Sequence, residues 1–216
     1  MTLQNLLLAF ATFRQSVQPE WYAHIHSHGH ATARVARSFA ANCTKLTQES
    51  TLDEIEFGAH MHDIGKYLIA KEVLFKPDLL DEEERAIMLL HPSHGAEILS
   101  DLPCVTPTIT QIVLYHHERW NGTGYPEGLA GDAIPLASRI VAIADVYTSL
   151  RAQRSYKAAY TRSGASALLR EMAGNELDPN LVHDFLRFIG KRSKGERRVS
   201  LRLPPRSLVR SARRLS

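Results

Sequence analysis

Cysteine is scarce in these 216 residues. There are 2, Cys43 and Cys104, and no C-x-x-C pair. That excludes a disulfide scaffold and a thiolate metal site. No uninterrupted apolar run approaches the roughly 20 residues that span a bilayer. The N-terminal stretch carries Leu3, Leu6, Leu7, Leu8, Phe10 and Phe13, but no basic flank and no small-residue cleavage site. It reads as a short helix docked on the core rather than a signal peptide, so a cytoplasmic location is expected. Segments with the β-branched density of a central strand are missing, apart from the alternating Val199 to Leu203. Neither a G-x-G-x-x-G behind a strand nor a P-loop is present.

What remains is helical. Apolar residues recur at helical spacing over residues 3–15, from about Ser27–Gly29 (or a turn earlier) to Ala41, and over 49–63. Pro19 reads as the end of the first of these. Thr51 with Glu54 suggests a capping box, and Asp81 to Glu84 puts acids at the positive end of a further helix running to His91. Shorter helices are expected over 95–99, 108–115, 137–150, 163–173 and 179–189. The expected fold class is all-α, a compact bundle of about seven or eight helices.

Charge is divided. Residues 191–216 hold ten Lys or Arg against Glu196, a net +9, which leaves residues 1–190 at −6 within the total of +3. The basic pI therefore describes the tail and not the body. The tail reads as a flexible solvated end, or as a short amphipathic segment that meets a partner or an anionic membrane, giving peripheral membrane association. Nucleic acid is disfavoured, since no aromatic residue lies there to stack on bases.

Histidine is the residue in excess, at 11. His30, His62, Asp63, His91, His116, His117 and Asp145 fall at helix ends or within apolar helices. Imidazole with carboxylate suits Fe, Mn, Co or Zn. Seven such groups exceed one ion's needs. Two ions bridged by a carboxylate, with Asp63 as the natural bridge, would use them, and a bridging water of lowered pKa would be the nucleophile for a phosphoester. Asp145, alone among Ile140, Val141, Ile143, Ala144 and Val146, is the acid hardest to explain without a metal. His24 and His28 are read as surface residues or as supports for the ligands, and His60 as a support. If the helix begins early, His26 and His30, four apart, reach one point in space. Lys66 would hold a phosphate oxygen, with Arg119 and Arg139 as weaker candidates. Gly122, Gly124, Gly128 and Gly131 permit close approach of backbone to a ligand; Tyr125 could stack on a base, and Pro126 stiffens its turn.

The order of these pieces resembles the HD-GYP domains, a branch of the HD superfamily of metal-dependent phosphohydrolases. The resemblance rests on His62-Asp63-Ile64-Gly65-Lys66, Lys76-Pro77, His91-Pro92 with Gly95, and His116 to Pro126 (HHERWNGTGYP). Behind these come Gly128-Leu129, Gly131, Ile134-Pro135, Arg139-Ile140, Ala144 to Tyr147, and Leu177 to Pro179. It spans about residues 25–190, with 1–24 as an N-terminal helical extension and 191–216 as the basic tail. It implies a helical bundle with two or three Fe or Mn ions that hydrolyses cyclic di-GMP to linear pGpG, and in some members to GMP. By resemblance His62 and Asp63 are the HD pair, and His91, His116, His117 and Asp145 are further ligands. His30 is the first histidine, ahead of Arg34-Val35, and His26 stands where three-metal members carry a glutamate. Lys66, Arg119, Gly122, Gly124, Tyr125, Pro126 and Arg139 would line the substrate, with Asp63 and Lys66 catalytic. Thr148 and Ser155 depart from the family pattern without removing a ligand. No receiver or sensory domain is expected ahead of residue 25, so regulation is expected from a protein partner, a homodimer, the tail or metal supply. Two other functions stay open: hydrolysis of a different cyclic dinucleotide or nucleotide, and a non-catalytic cyclic-dinucleotide receptor.

Overall fold

Pro19 opens a helix. A proline in the first turn gives up an N–H that has no partner there, and its φ suits a helix. In the computed structural model, which describes residues 19–42, 49–153 and 158–200, α1 runs Pro19–Ala40. The alternating histidines 24 to 30 are therefore one helical segment that starts earlier than Ser27. Ile25, Thr32, Ala36 and Phe39 form its buried stripe, each at most 2% exposed.

After α2 (Glu49–Met61) comes a 3₁₀ turn at Ile64–Leu68 and a single turn, α3 (Lys71–Leu74). Thr51 lies inside α2 and not at its cap. The Asp81 cap is real: its carboxylate accepts from Glu84 N–H while the Glu84 side chain accepts from Asp81 N–H, and this box starts α4 (Glu82–Met88). That helix stops at Met88, short of the expected His91. His91 is the first residue of α5 (His91–Ser100), with Pro92 in its first turn. Thr106 caps α6 (Pro107–Tyr115). Then follow α7 (Leu136–Arg151), α8 (Arg162–Met172) and α9 (Pro179–Ser200).

Among the described residues there is no β-strand, only isolated bridges at Asn121 with Ala130 and Ala173 with Leu177. The chain is an all-α bundle, as expected. Val199 and Ser200, read as the start of an alternating stretch, end α9. Residues 1–18, Cys43, Arg154 to Tyr156 and residues 201–216, with their expected helix, substrate wall and docking tail, lie outside the described residues. So does the side chain of His24. None of the described helices is long and apolar enough to cross a membrane.

One core joins α1, α2, α6, α7, α8 and α9, with Phe39 and Phe185 edge-to-face at 5.0 Å. A second cluster gathers Phe57, Met61, Ile64, Leu99, Ile109 and Val113 beneath the ends of α2 and α6. Each such fully buried side chain contributes about 1.5–3 kcal/mol. Where the 3₁₀ turn meets α5 there is no room for a side chain. A Cβ on Gly65 would strike the His91 carbonyl oxygen and lie 2.5 Å from Gly95 N. This backbone-on-backbone contact fixes Asp63 relative to His91.

Gly65→Ala should therefore lower stability by roughly 1–3 kcal/mol or more, as overpacking does. Gly190→Ala, where an added methyl meets nothing within 4 Å, should be neutral or stabilise by about 0.5–1 kcal/mol as a helical substitution. Urea titrations of the two variants check both; equal midpoints would contradict the close contact.

Candidate metal centre

Three histidines stand at helix ends and share one local device. His62 follows α2 and its Nδ1 is 2.8 Å from Ala59 O; His91 opens α5 with Nδ1 2.8 Å from Met88 O; His116 closes α6 with Nδ1 2.7 Å from Val113 O. Each carbonyl lies three residues back, where a helical turn leaves an oxygen within reach. A carbonyl can only accept, so each Nδ1 carries the proton and donates. Each Nε2 is left with a lone pair directed inward.

Those lone pairs converge on Asp63. Its carboxylate lies 3.4 Å from His91 Nε2 and 4.0 Å from His116 Nε2 through Oδ1, and 3.5 Å from His62 Nε2 through Oδ2. His91 Nε2 and His116 Nε2 are 3.4 Å apart. With both protons committed to Nδ1, no hydrogen bond joins this pair. Asp63 Oδ1 is buried with no hydrogen-bond partner. Lone pairs and a charged oxygen facing one another without a donor are costly, on the order of several kcal/mol for the carboxylate. A divalent cation between them removes that cost.

Two groups have ligand atoms within 4.8 Å of one another: Asp63, His91, His116 and His117, and His28, His62 and Asp145. His62 Nε2 links them, 3.8 Å from Asp145 Oδ1. They suit one or two divalent ions on a mixed imidazole and carboxylate set. The donor set itself carries this fit.

Burial acts on every charge here. It raises Asp63, but Lys66, whose Nζ is 2.7 Å from Oδ2, outweighs it and holds the carboxyl well below its usual range. Asp145 is likewise raised by burial, then drawn down to about 2, chiefly by the hydrogen bond from His28. Burial keeps His116 neutral, its pKa pushed well down with help from His117, His62 and His91. His117 falls to about 3, again through burial and then His91. Ionised carboxylates beside neutral imidazoles are the protonation states metal binding requires.

The structure places two of the expected ligands, His30 and His26, away from these groups. His28 Nε2 sits 2.5 Å from Asp145 Oδ1, whereas His30 is exposed and its ring meets His60 at 5.8 Å. His28 lies beside the buried stripe of α1, three residues after Ile25 and four before Thr32, and the next turn repeats the crossing as Thr32 Oγ1 bonds Thr148 Oγ1 at 2.8 Å. That spacing was readable in the sequence; the R-V motif drew attention to His30. His26, expected as an additional ligand, faces His60 and Tyr67 instead.

Among the expected substrate residues, Lys66 and Tyr125 are at the centre. The Tyr125 ring stacks on His117 at 4.8 Å and 22°. Arg139 is not there: its guanidinium binds Asp132 at 2.7 Å and Asp178 at 2.8 Å, and lies over Trp120. Arg119 is half-exposed and 3.5 Å from Glu176. Gly122, Gly128 and Gly131 have positive φ, which lets the loop fold back, and Pro126 follows a cis bond.

The residue missed is Glu118. It is 4% exposed, and its carboxylate accepts from the backbone N–H of Glu127, Gly128 and Leu129 at 2.8, 3.1 and 3.0 Å. A carboxylate directly after two histidines was its only signal.

Comparison with known proteins agrees with this geometry. The chain matches the HD domain family over residues 19–181. It is 45% identical over 134 residues to the cyclic di-GMP phosphodiesterase response regulator RpfG of Xanthomonas campestris pv. campestris (strain 8004), covering 62% of this chain and 35% of that protein. It is 37% identical over 164 residues to 3'3'-cGAMP-specific phosphodiesterase 2 of Vibrio cholerae serotype O1, covering 73% of this chain and 31% of that protein. The chain thus spans about a third of the length of these relatives. The solved structure of Bd1817, an HDG"Y"P protein from Bdellovibrio bacteriovorus, shares the fold, with a TM-score of 0.62 at 20% identity over 77% of this chain and 52% of that one.

The neutral imidazoles set a pH dependence. Unfolded histidines take up protons near pH 6.5, whereas folded His117 resists until about 3 and His60, lowered by burial, His26, His30 and His62, until about 4. The unfolded state then binds more protons, so stability falls as pH drops from 7 toward 4. Below about pH 3.8 the contributions of Asp63 and Asp145 are lost as well. Calorimetry of chelated protein at pH 7, 5.5 and 4.5 should show a falling Tm; a flat profile would mean that these rings are not held neutral.

Proposed function

The chain belongs to the HD domain family and is related to the HD-GYP-type cyclic-dinucleotide phosphodiesterases, and from that premise we propose that it is a metal-dependent hydrolase that opens a cyclic dinucleotide, cyclic di-GMP first. The reading is carried by one observation: the acceptor atoms of Asp63, His91 and His116 face one another with no donor among them.

In this reading His28, His62, Asp63, His91, His116, His117 and Asp145 hold the ions, Fe or Mn, with Asp63 between the two groups. When bound, such ions supply Lewis acidity and bring the pKa of a water near neutrality. Lys66 has two tasks for this chain. At rest its ammonium balances Asp63 Oδ2. With substrate it is a short reach from the same spot to a phosphate oxygen, where it offsets the charge added as the P–O3′ bond breaks. Tyr125 covers His117 and forms the wall on which a base would slide in, with the loop from Gly122 to Gly131 behind it. Linear pGpG is the expected first product, and GMP follows if the linear product rebinds.

A second substrate is favoured by a specific finding, the 37% identity to a protein specific for 3'3'-cGAMP.

The test is chromatography of products from cyclic di-GMP, 3'3'-cGAMP and cyclic di-AMP with protein reconstituted in Mn or Fe. Cyclic di-GMP should be linearised fastest. Asp63→Asn should abolish turnover, and Lys66→Met should cost about 10²–10³-fold in kcat, the range for losing one charge-stabilising group. Tight binding of the dinucleotide with no product in metal-replete protein would replace this reading with that of a receptor.

A further inference from the structure

Two of the histidines expected at the Asp63 centre are gathered elsewhere. His26 and His30 stand four residues apart on α1, one turn above the other. His60, on the last turn of α2, lies against both, its ring centroid 5.6 Å from His26 and 5.8 Å from His30. Tyr67 closes one side, 5.9 Å from the His26 ring. The approach depends on Gly29, between the two α1 histidines. A Cβ there would strike the carbonyl oxygen of His60, so the two helix backbones touch at this level.

Residues two apart on an α-helix are turned by about 200°. His28 and His30 therefore leave α1 on opposite sides, and so do His60 and His62 at the end of α2. One side of the helix pair carries His28 and His62 to Asp145. The other carries His26, His30 and His60.

We propose that His26, His30 and His60 bind one divalent transition-metal ion of the zinc class, separate from the Asp63 centre. Three imidazoles on one tetrahedral ion, with metal–nitrogen bonds of about 2.0–2.1 Å, have ring centroids roughly 5 Å apart. The two separations observed, both from the His60 ring, are wider than this by under about 1 Å, and binding requires the exposed His30 to rotate toward both His26 and His60. His26 is 5% exposed, His60 is half-buried and His30 is exposed. The set is thus buried at its base and exposed at its mouth, where solvent can reach it. Three imidazoles without a carboxylate favour zinc, copper or nickel over the iron and manganese suited to a mixed set. The ion would pin the start of α1 to the end of α2, one turn from ligands of the other centre. The site does not depend on the diesterase reading, since it shares no side chain with it.

The test is zinc uptake by the full chain, chelated, desalted, loaded with zinc alone and counted by mass spectrometry of metals after gel filtration. Wild-type protein should hold one ion more than His30→Gln or His60→Gln, and Asp63→Asn should retain that ion. His30→Gln should keep dinucleotide hydrolysis. An unchanged count in His30→Gln overturns the site and leaves the Asp63 centre untouched. A full count in His60→Gln also overturns it, reducing the binding to chelation by a surface pair. Loss of hydrolysis in His30→Gln would assign His30 to the Asp63 centre and defeat the proposal.

Discussion

The carboxylate of Asp63 is the group on which the architecture turns. It is buried and ionised, and its Oδ1 accepts no hydrogen bond. A charge in that position is tolerated only if opposite charge is close. Lys66 supplies one positive partner at 2.7 Å, three residues on. The remaining oxygen is met by acceptor lone pairs. The protein thus holds a site whose electrostatics are incomplete without a cation, and the bundle absorbs that cost through the apolar clusters beneath it. Burial has the same sense throughout: it drives His116 and His117 neutral, while their neighbours keep Asp63 and Asp145 ionised.

How the ligands are aimed follows from where helices stop. A histidine placed just past a helix end, or opening the next one, finds a carbonyl three residues back, and that contact decides which ring nitrogen carries the proton. The same step occurs at His62, His91 and His116. At His91 the device has a visible cause: the helical partner of the Met88 carbonyl would be the N–H of residue 92, and Pro92 has none, so the oxygen is left for the His91 ring.

Most of this was legible before any coordinates. Periodicity locates the starts of most helices after residue 49 to within a few residues, although α9 runs on to Ser200 past the expected 189 and α3 is not foreseen, and Asp145 among aliphatic neighbours announces itself as an acid with an unusual task. The failures have physical causes. Helix α1 reads as starting late because alternating histidines mimic a strand. His30 was preferred to His28 because a motif was weighed above the apolar stripe: Ile25, Thr32 and Phe39 define the buried face, and His28 flanks it where His30 does not. Arg139 reads as a substrate residue from its charge and its place in the HD-GYP pattern. Only the fold reveals Asp132 and Asp178 on either side of it, with Asp178 also accepting from Asn180 and Leu181 N–H at the start of α9.

The glycine-rich loop shows how the same few residues unite structure and site. Glycine gives a loop freedom, and freedom alone would leave Tyr125 undirected. Glu118 removes it. Its two oxygens take three amide protons from 127 to 129, while Tyr125 N–H reaches the His117 carbonyl at 3.3 Å and Gly124 lies against the backbone of Glu118 and Arg119. The loop is tied to the segment that bears the histidine pair. With its backbone held there, the Tyr125 ring has one place to rest, over His117. Removing the carboxylate would take the partner from three backbone amides at once and release the ring. The histidine pair, the acid after it and the tyrosine seven residues later are one mechanical unit, and the glycines are what allow the acid to close it.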